Sequence, residues 1–399
     1  MKRRPGLLPC GLCSRVLIVS EPGADGVFRH VEALVGYLIK RGIEVDLAYS
    51  NVRDGPELYA LVQRVESHCG KTLNLQTGNR PCARDGLALV ELWRLALERQ
   101  PEVIHAHSSK AGVLARSLRF FGIQCPIFYT PHAYFGMGNH RKSVRLFSLI
   151  ERVFSRLGIT IQTSKTEALF GHERIGVPKN RQVIIPNGVD CDAFQPATIL
   201  RRREVRRRMN IPENAVVLGS VARYSLQKDP LTLHAAVREL LARHESIWFV
   251  HVGKGELWND VDALGPPMPR VVRLPSFHPM SDFYQALDCF VLASRYEGLS
   301  LAVLEALATG LPLILSRVPG NWDLDFFALN GVHWTEAGNV ADLARTIDDW
   351  IGIARMATNH REVALDHFQQ NSCFDRIVEE YQKSLHPHRS RREELAFRP

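Results

Sequence analysis

The chain has 399 residues, 45% hydrophobic and 23% charged, and Lys plus Arg exceeds Asp plus Glu by eight. This is the make-up of a globular protein large enough for two domains, not of a disordered or fibrous one, and no apolar run approaches the roughly 18–20 residues that a membrane span needs. The positive excess suits an anionic partner such as a nucleotide diphosphate, a lipid phosphate or an anionic membrane face; no recognition-helix, RNP-type or zinc-finger pattern accompanies it, so nucleic acid is not expected.

The N-terminus, MKRRPGLLPCGLC, is basic but has no apolar core of signal-peptide length, which points to a cytosolic address. The eight cysteines are scattered and expected to be reduced thiols, several of them in the core. Only Cys10 and Cys13 have metal-like spacing, and no second such pair completes a zinc site.

Arg15-Val-Leu-Ile-Val-Ser20 is a short apolar run that enters a glycine-containing turn, as a buried parallel strand does. A helix is predicted from about Val27 to Lys40, stopped at Gly42. Strands follow at Glu44–Tyr49, Val103–His107, Ile127–Thr130 and Ile159–Gln162. Between them, residues 141–157 can be drawn as a helix with Val144, Phe147, Ile150, Phe154 and Leu157 on one face and five arginines and lysines largely on the rest. An interfacial membrane helix has this composition, and so does a core helix with a basic solvent face.

The rhythm breaks near Val183-Ile-Ile-Pro-Asn-Gly-Val-Asp190 and an arginine run, Arg201-Arg-Arg-Glu-Val-Arg-Arg-Arg208, which reads as the solvated face of a linker helix. It restarts with strands at Val216–Val221, Trp248–Val252, Val271–Leu274, Cys289–Leu292 and Leu313–Leu315. Such alternation implies an α/β chain with parallel sheets. The expected division is an N-terminal domain over 1–190 and a C-terminal domain over 191–374, with a last helix at about 375–399 packing back on the first domain.

The most informative window runs from Ser294 to Pro312, S-R-Y-E-G-L-S-L-A-V-L-E-A-L-A-T-G-L-P. It follows a strand and enters a helix at about Ser300, so Glu297 falls in a turn at the C-terminal edge of the sheet, where open α/β sheets bind ligands. The backbone N–H groups of Leu299, Ser300 and Leu301 sit at the helix start, where unpaired donors and the helix dipole attract phosphate. Glu305, further along, is placed to accept hydrogen bonds from hydroxyl groups. Upstream, Arg223 and Lys228 follow a strand in G-S-V-A-R-Y-S-L-Q-K-D-P. Two cations there can neutralise a departing diphosphate, each contact being worth about 1.5–3 kcal/mol.

This window resembles the signature of the retaining glycosyltransferases of family 4, and A-R-x-x-x-x-K-D is similar to that family's G-R-x-x-x-x-K-[DN]. The resemblance implies a GT-B fold, α/β with two Rossmann-like domains facing across a cleft. It also implies transfer of a sugar from a nucleotide diphosphate to a hydroxyl acceptor with retention, without a cofactor or an obligatory metal. On it, Glu297 contacts the transferred sugar and Glu305 the ribose, while Gly298 completes the turn. Gly253 and Gly255 match a G-x-G in the donor cleft, and His278 follows Phe277 where residues against the base are found. His132, in Tyr129-Thr-Pro-His-Ala-Tyr134, occupies the place of a histidine near the donor sugar. His107-Ser-Ser-Lys-Ala-Gly112 is similar to a stretch of bacterial polysaccharide-assembly members, which puts His107, Ser108 and Lys110 on the acceptor side. A plain helix N-cap accounts equally well for the serines. Gly26, in G-A-D-G, resembles the acceptor loop without its adjacent glycine pair.

His105 and His107 lie two apart on one face of a strand, a zinc-compatible geometry, but the chain shows no third ligand at a suitable spacing. The implied partners are a nucleotide-sugar donor and a glycan or lipid-linked acceptor of bacterial polysaccharide or lipopolysaccharide assembly. The second of these would bring the chain to the cytoplasmic face of the membrane. Two alternatives stay open, a hydrolysing nucleotide-sugar epimerase of the same fold and a sugar-nucleotide-binding protein without catalysis.

Overall fold

A computed structural model describes residues 13–52, 55–78, 81–134, 136–138, 142–353 and 357–386. The chain forms two compact units: Met1–Thr163 with Ala168–Ile185 and the stretch from Asn371 onward, and Ser164–Glu167 with Pro186–Gln370.

In the first unit the strands and helices alternate as β1 (Arg15–Ser20), α1 (Asp25–Lys40), β2 (Glu44–Tyr49), α2 (Pro56–Ser67), β3 (Thr72–Asn74), α3 (Arg84–Arg99), β4 (Val103–His107), α4 (Ser109–Ser117), β5 (Ile127–Thr130), α5 (Lys142–Phe154), β6 (Ile159–Gln162), α6 (Lys165–Phe170) and β7 (Gln182–Ile184). The seven strands are parallel, in the order β3-β2-β1-β4-β5-β6-β7. The apolar run of β1 explains why it is central. Val16 and Ile18 enter one core with α1 and α2, while Leu17 and Val19 enter the other with α3 and α4, the period-2 alternation of a strand covered on both faces.

The second unit continues with α7 (Ile199–Arg208), β8 (Val216–Val221), α8 (Pro230–Arg243), β9 (Ile247–Val252), α9 (Trp258–Asp262), β10 (Val271–Leu274), α10 (Met280–Ala286), β11 (Cys289–Leu292), α11 (Leu301–Ala308), β12 (Leu313–Ser316), β13 (Val332–Thr335), α12 (Val340–Gly352) and α13 (His360–His367). Its six parallel strands run β10-β9-β8-β11-β12-β13. Phe290 and Leu292 of β11 face one core, and Cys289 and Val291 the other. The last helix, α14 (Gln370–Leu385), returns to the first unit, where Phe374, Ile377 and Tyr381 join the core of β1 and α1. Tyr381 Oη lies 2.6 Å from His105 Nδ1 on β4. The helix drawn over 375–399 therefore starts earlier, at Gln370, and its stretch past His386 lies outside the described residues.

Three expectations change. The arginine run is a solvated face only in part, at Arg203, Arg207 and Arg208. Arg201 and Arg208 of α7 bind Asp282, and Arg202 and Arg206 bind Asp288. Arg206 also donates to the carbonyls of Ala286, Glu213 and Ala215. Two buried carboxylates facing α7 are the cause, since a buried charge needs a partner. The outward face of α5 is not purely basic either. Leu146, Leu149 and Val153 are exposed beside Arg145, Arg152 and Arg156, while Phe147, Ile150, Phe154 and Leu157 are half-buried. The side chains before Arg145 lie outside the described residues. Finally, Gly26 does not shape a turn: it sits in the first turn of α1, whose N-cap Ala24 makes no side-chain cap.

Of the cysteines, Cys13, Cys191, Cys289 and Cys373 are buried thiols outside any disulfide, and Cys10 lies outside the described residues. Among the described residues no helix is long and apolar enough to cross a membrane.

Candidate functional site

In both sheets the strand order reverses beside the first strand, between β1 and β4 and between β8 and β11. Crevices at such switch points, beyond the carboxyl ends of the strands, are where open α/β sheets bind ligands. The chemistry-bearing residues of each unit gather there.

In the second unit, two loops leave the sheet side by side. One follows β8 and carries Arg223 and Lys228; the other follows β11 and carries Glu297. They are laced together. Arg295 N–H donates to the Gln227 carbonyl at 2.7 Å, Gln227 Nε2 to the Tyr296 carbonyl at 3.1 Å, and the Arg295 guanidinium binds Asp229 at 2.8 Å. Asp229 in turn caps α8 by accepting from Thr232 N–H. At the centre, Glu297 Oε1 accepts from Lys228 Nζ at 2.5 Å and from Ser294 Oγ at 2.6 Å. Glu297 is 4% exposed, so its carboxylate is held in one orientation by a cation and a hydroxyl rather than by water. An incoming anion and Glu297 would share Lys228.

The turn below Glu297 is braced from β12. Glu297 N–H donates to the Pro319 carbonyl at 3.1 Å. Gly320 has φ of 86°, and a Cβ there would come within 2.5 Å of the carbonyls of Glu297 and Gly298. Asn187 Nδ2 donates to the Leu299 carbonyl at 2.7 Å. Ser300 is the N-cap of α11 without a side-chain cap, so the first N–H groups of Leu301 onward are left without an intrahelical partner. Glu305, buried one turn on, accepts from Tyr284 Oη at 2.7 Å.

Gly253 closes the other side of these loops. At φ of 144° it packs so tightly that a Cβ would meet the Ala222 carbonyl at 2.1 Å, and Gly255 lies against Tyr224 in the same way. The glycines thus let the β9 loop press against the loop carrying Arg223. A buried chain supports that contact. His251 Nε2 donates to the Ala222 carbonyl at 3.0 Å, which leaves His251 Nδ1 to accept from His234 Nε2 at 3.0 Å. Burial pushes His251 down to about 4. His278 stands apart from this lacework, exposed on the loop between β10 and α10.

In the first unit, His107 ends β4, His132 follows β5, and His30 projects from α1 after β1. His107 Nδ1 and His132 Nε2 are 3.1 Å apart. The His30 ring packs 5.4 Å from that of His107 and 4.8 Å from that of His132. The His105 ring lies 4.1 Å from that of His107, tilted by 37°, with both its nitrogens engaged, by Tyr381 and by Thr130 Oγ1 at 2.8 Å. Burial lowers His30 to about 4 and holds His105, His107 and His132 well below the usual imidazole range, with neighbouring imidazoles adding to the effect. All four are neutral at physiological pH. Among the described residues, the Nε2 atoms of His30 and His107 are buried without a hydrogen-bond partner, at a cost of about 1–3 kcal/mol each.

The backbone here is held away from its preferred regions. Ser108 has φ of 81° and ψ of 158°, and His132 and Ala133 have φ of 56° and 90°. Each such residue costs on the order of 1–3 kcal/mol and persists where surrounding structure over-determines it, as at ligand sites. Ser108 stands at the N-cap of α4, yet its hydroxyl makes no cap and, among the described residues, is buried without a partner. Lys110 turns to Asp85 on α3, binding both carboxylate oxygens at 2.8 and 3.0 Å.

Sequence reasoning singled out Glu297, Lys228, Glu305, His107 and His132 but not what holds them. Ser294, Tyr284, Asn187 and Gly320 reach the site from other elements, and spacing along the chain does not reveal them. His30 had one usable signal, a histidine one turn into the helix after the first strand.

Residues 24–193 match the family model described as Glycosyltransferase Family 4, and residues 201–364 the one described as Glycosyl transferases group 1. The UDP-Gal:alpha-D-GlcNAc-diphosphoundecaprenol alpha-1,3-galactosyltransferase of Escherichia coli is 31% identical over 255 residues, 60% of this chain and 63% of that protein. A D-inositol 3-phosphate glycosyltransferase of Corynebacterium urealyticum is 27% identical over 239 residues, 55% of this chain and 56% of that protein. Both matches span less than two thirds of the relative's own length. Among solved structures, a glycosyltransferase from Rickettsia africae has a TM-score of 0.73 at 17% identity, covering 94% of this chain and 99% of its own. Anabaena Alr3699/HepE, solved in complex with UDP-glucose, has a TM-score of 0.73 at 19% identity, covering 92% of this chain and 98% of its own. At such identities the likeness is one of fold, and the fold is GT-B.

Proposed function

The chain belongs to glycosyltransferase family 4, and on that premise we propose that it is a retaining hexosyltransferase acting on a nucleotide diphosphate sugar. The observation that carries this reading is the Lys228–Glu297–Ser294 constellation, set beside the uncapped start of α11 and one turn from the Glu305–Tyr284 pair. A sugar nucleotide presents hydroxyls and a diphosphate, and this arrangement offers oriented carboxylates to the first and cations with free amides to the second.

In the proposed reaction the acceptor hydroxyl oxygen bonds to the anomeric carbon while the bond from that carbon to the diphosphate breaks. The hydroxyl proton passes to the departing phosphate oxygen on the same face of the sugar, so configuration is retained. Arg223, Lys228 and the α11 amides take up the negative charge that develops on the diphosphate, and no divalent ion is required there. Glu297 orients the sugar and Glu305 holds the ribose; in the first unit, His132 is assigned the catalytic role that the family resemblance implies. Gly26, His107 and Ser108 belong to the acceptor side. The acceptor is a lipid-linked glycan of bacterial surface-polysaccharide assembly, met at the cytoplasmic face of the membrane. The Escherichia coli relative, named for a diphosphoundecaprenol acceptor, and the exposed mixed face of α5 support that choice.

The test is transfer from a panel of nucleotide sugars to a synthetic polyprenyl-diphosphate glycan without added metal, with product configuration read by NMR. An α-linked product from an α-linked donor, abolished by Glu297→Ala, is expected. Free epimerised sugar formed without acceptor, or an inverted linkage, would overturn the reading.

A further inference from the structure

We propose that His251, held in turn by His234, is a positioning residue for the donor diphosphate and acts through Arg223. The inference rests on the donor reading above and extends it to two side chains, 0% and 3% exposed, that do not themselves face the ligand.

Arg223 lies just beyond the end of β8, outside any strand or helix that would hold it. Its backbone is placed by its two neighbours, and His251 grips both. Ala222 is held through its carbonyl, which accepts from His251 Nε2 at 3.0 Å. Tyr224 is held through its ring, which stacks on the imidazole with centroids 4.3 Å apart and planes 19° apart. Tyr224 Oη also lies 3.3 Å from His234 Nε2. A turn of the His251 ring would therefore move both anchors of Arg223 together. A misplacement of about 1 Å in a group that meets the reacting atoms can cost on the order of 100-fold in rate.

The proton positions explain why two histidines are used. A carbonyl only accepts, so the His251 proton sits on Nε2 and Nδ1 is an acceptor. A neutral imidazole can carry its proton on either nitrogen, and the bond made by one nitrogen decides the state of the other. His234 Nε2, 3.0 Å from His251 Nδ1, supplies the deciding bond as a donor. Burial keeps both rings neutral, pushing His251 down to about 4 and His234 to about 2, and the Arg273 guanidinium adds to both effects.

The sheet does not need this bond. β8 and β9 are paired as far as Val221 and Val252, and Ala222 N–H already donates to the Val252 carbonyl at 3.1 Å. The His251 bond falls on the next group along, the carbonyl of the peptide that joins Ala222 to Arg223.

Two near-isosteres separate the two ring nitrogens in the test. Gln places its amide nitrogen about where Nε2 stands, and Asn reaches only as far as Nδ1. UDP, GDP and ADP are titrated calorimetrically into the full chain, and the tightest binder is carried through the variants. His251→Gln should bind within about threefold of the parent chain, and His251→Asn at least roughly tenfold more weakly. The deciding readout is a double-mutant cycle. Arg223→Ala should cost roughly 10–100-fold in the parent chain but no more than about threefold beside His251→Asn. Lys228→Ala should cost nearly as much in either background, which a general loosening of the unit would not give. An additive Arg223 cycle, or equal losses in the Gln and Asn variants, would overturn the inference and leave the donor reading standing. Should His251→Asn fail to fold, the same cycle with His234→Phe, which keeps a ring but removes the proton donor, decides by the same coupling or additivity. Failure of all three nucleotides to bind a folded parent chain would overturn the donor reading and this inference with it.

Discussion

Glu297 shares one oxygen between Lys228 and Ser294, so its substitutions separate charge from position. Glu297→Gln keeps a hydrogen-bonding group for Ser294 but loses the ion pair, and steady-state kinetics should show kcat down by roughly 100-fold or more in a folded protein. Ser294→Ala removes one hydrogen bond to a charged group, about 1.5–3 kcal/mol. That is a roughly 10–100-fold loss in kcat/KM, which Ser294→Thr should partly restore. A different readout belongs to His251. Its pKa is lowered to about 4 by burial and it is unperturbed in the unfolded chain at about 6.5. The unfolded state therefore binds the extra proton first. The stability His251 contributes is full above about pH 6.5 and is lost as pH falls toward 4, by about 3 kcal/mol in all. Urea melts of the parent chain and His251→Gln at pH 7 and pH 4.5 should show a smaller pH dependence in the variant; an equal dependence would place the titration elsewhere. At this scale the sequence reveals the residues that face a ligand, because Glu297 and Glu305 share one strand–turn–helix. It hides their supports, Tyr284 and Asn187, which only folding brings near.

The central strands stand out in the sequence because each is a short apolar run buried on both faces, as in β1, β4 and β11. The edge strands β3 and β13 do not. They are three and four residues long and largely half-buried, so neither apolar continuity nor alternation marks them. α7 is the opposite case, a conspicuous charge run whose meaning lay in Asp282 and Asp288, more than 70 residues downstream. Removing one partner of a buried pair leaves the other unpaired. Asp288→Ala should therefore cost about 3–5 kcal/mol in a denaturant titration, whereas Arg203→Ala, at an exposed pair with Glu213, should cost under about 1 kcal/mol. α14 carries Phe374, Ile377 and Tyr381 into the first core. Large-to-small core changes cost about 2–5 kcal/mol each, so a chain ending at Gln370 loses a sum comparable to the roughly 5–15 kcal/mol that a domain has. Limited proteolysis should then digest the first unit and spare the second.

Across the molecule, two sheets of like topology present two different chemistries at their switch points, carboxylates with cations in one unit and neutral imidazoles in the other. The account assigns donor binding to the second unit, so donor affinity and turnover should respond differently to changes in each. The measurement that tests this most directly is calorimetric titration of nucleotide sugars, without added metal, into the parent chain and into Lys228→Ala, Glu305→Ala and His132→Ala. One nucleotide sugar should bind the parent chain, at least roughly tenfold more weakly to the first two variants, and with little change to His132→Ala. Failure of every nucleotide sugar to bind a folded parent chain, or equal affinity in Lys228→Ala and Glu305→Ala, would contradict the account.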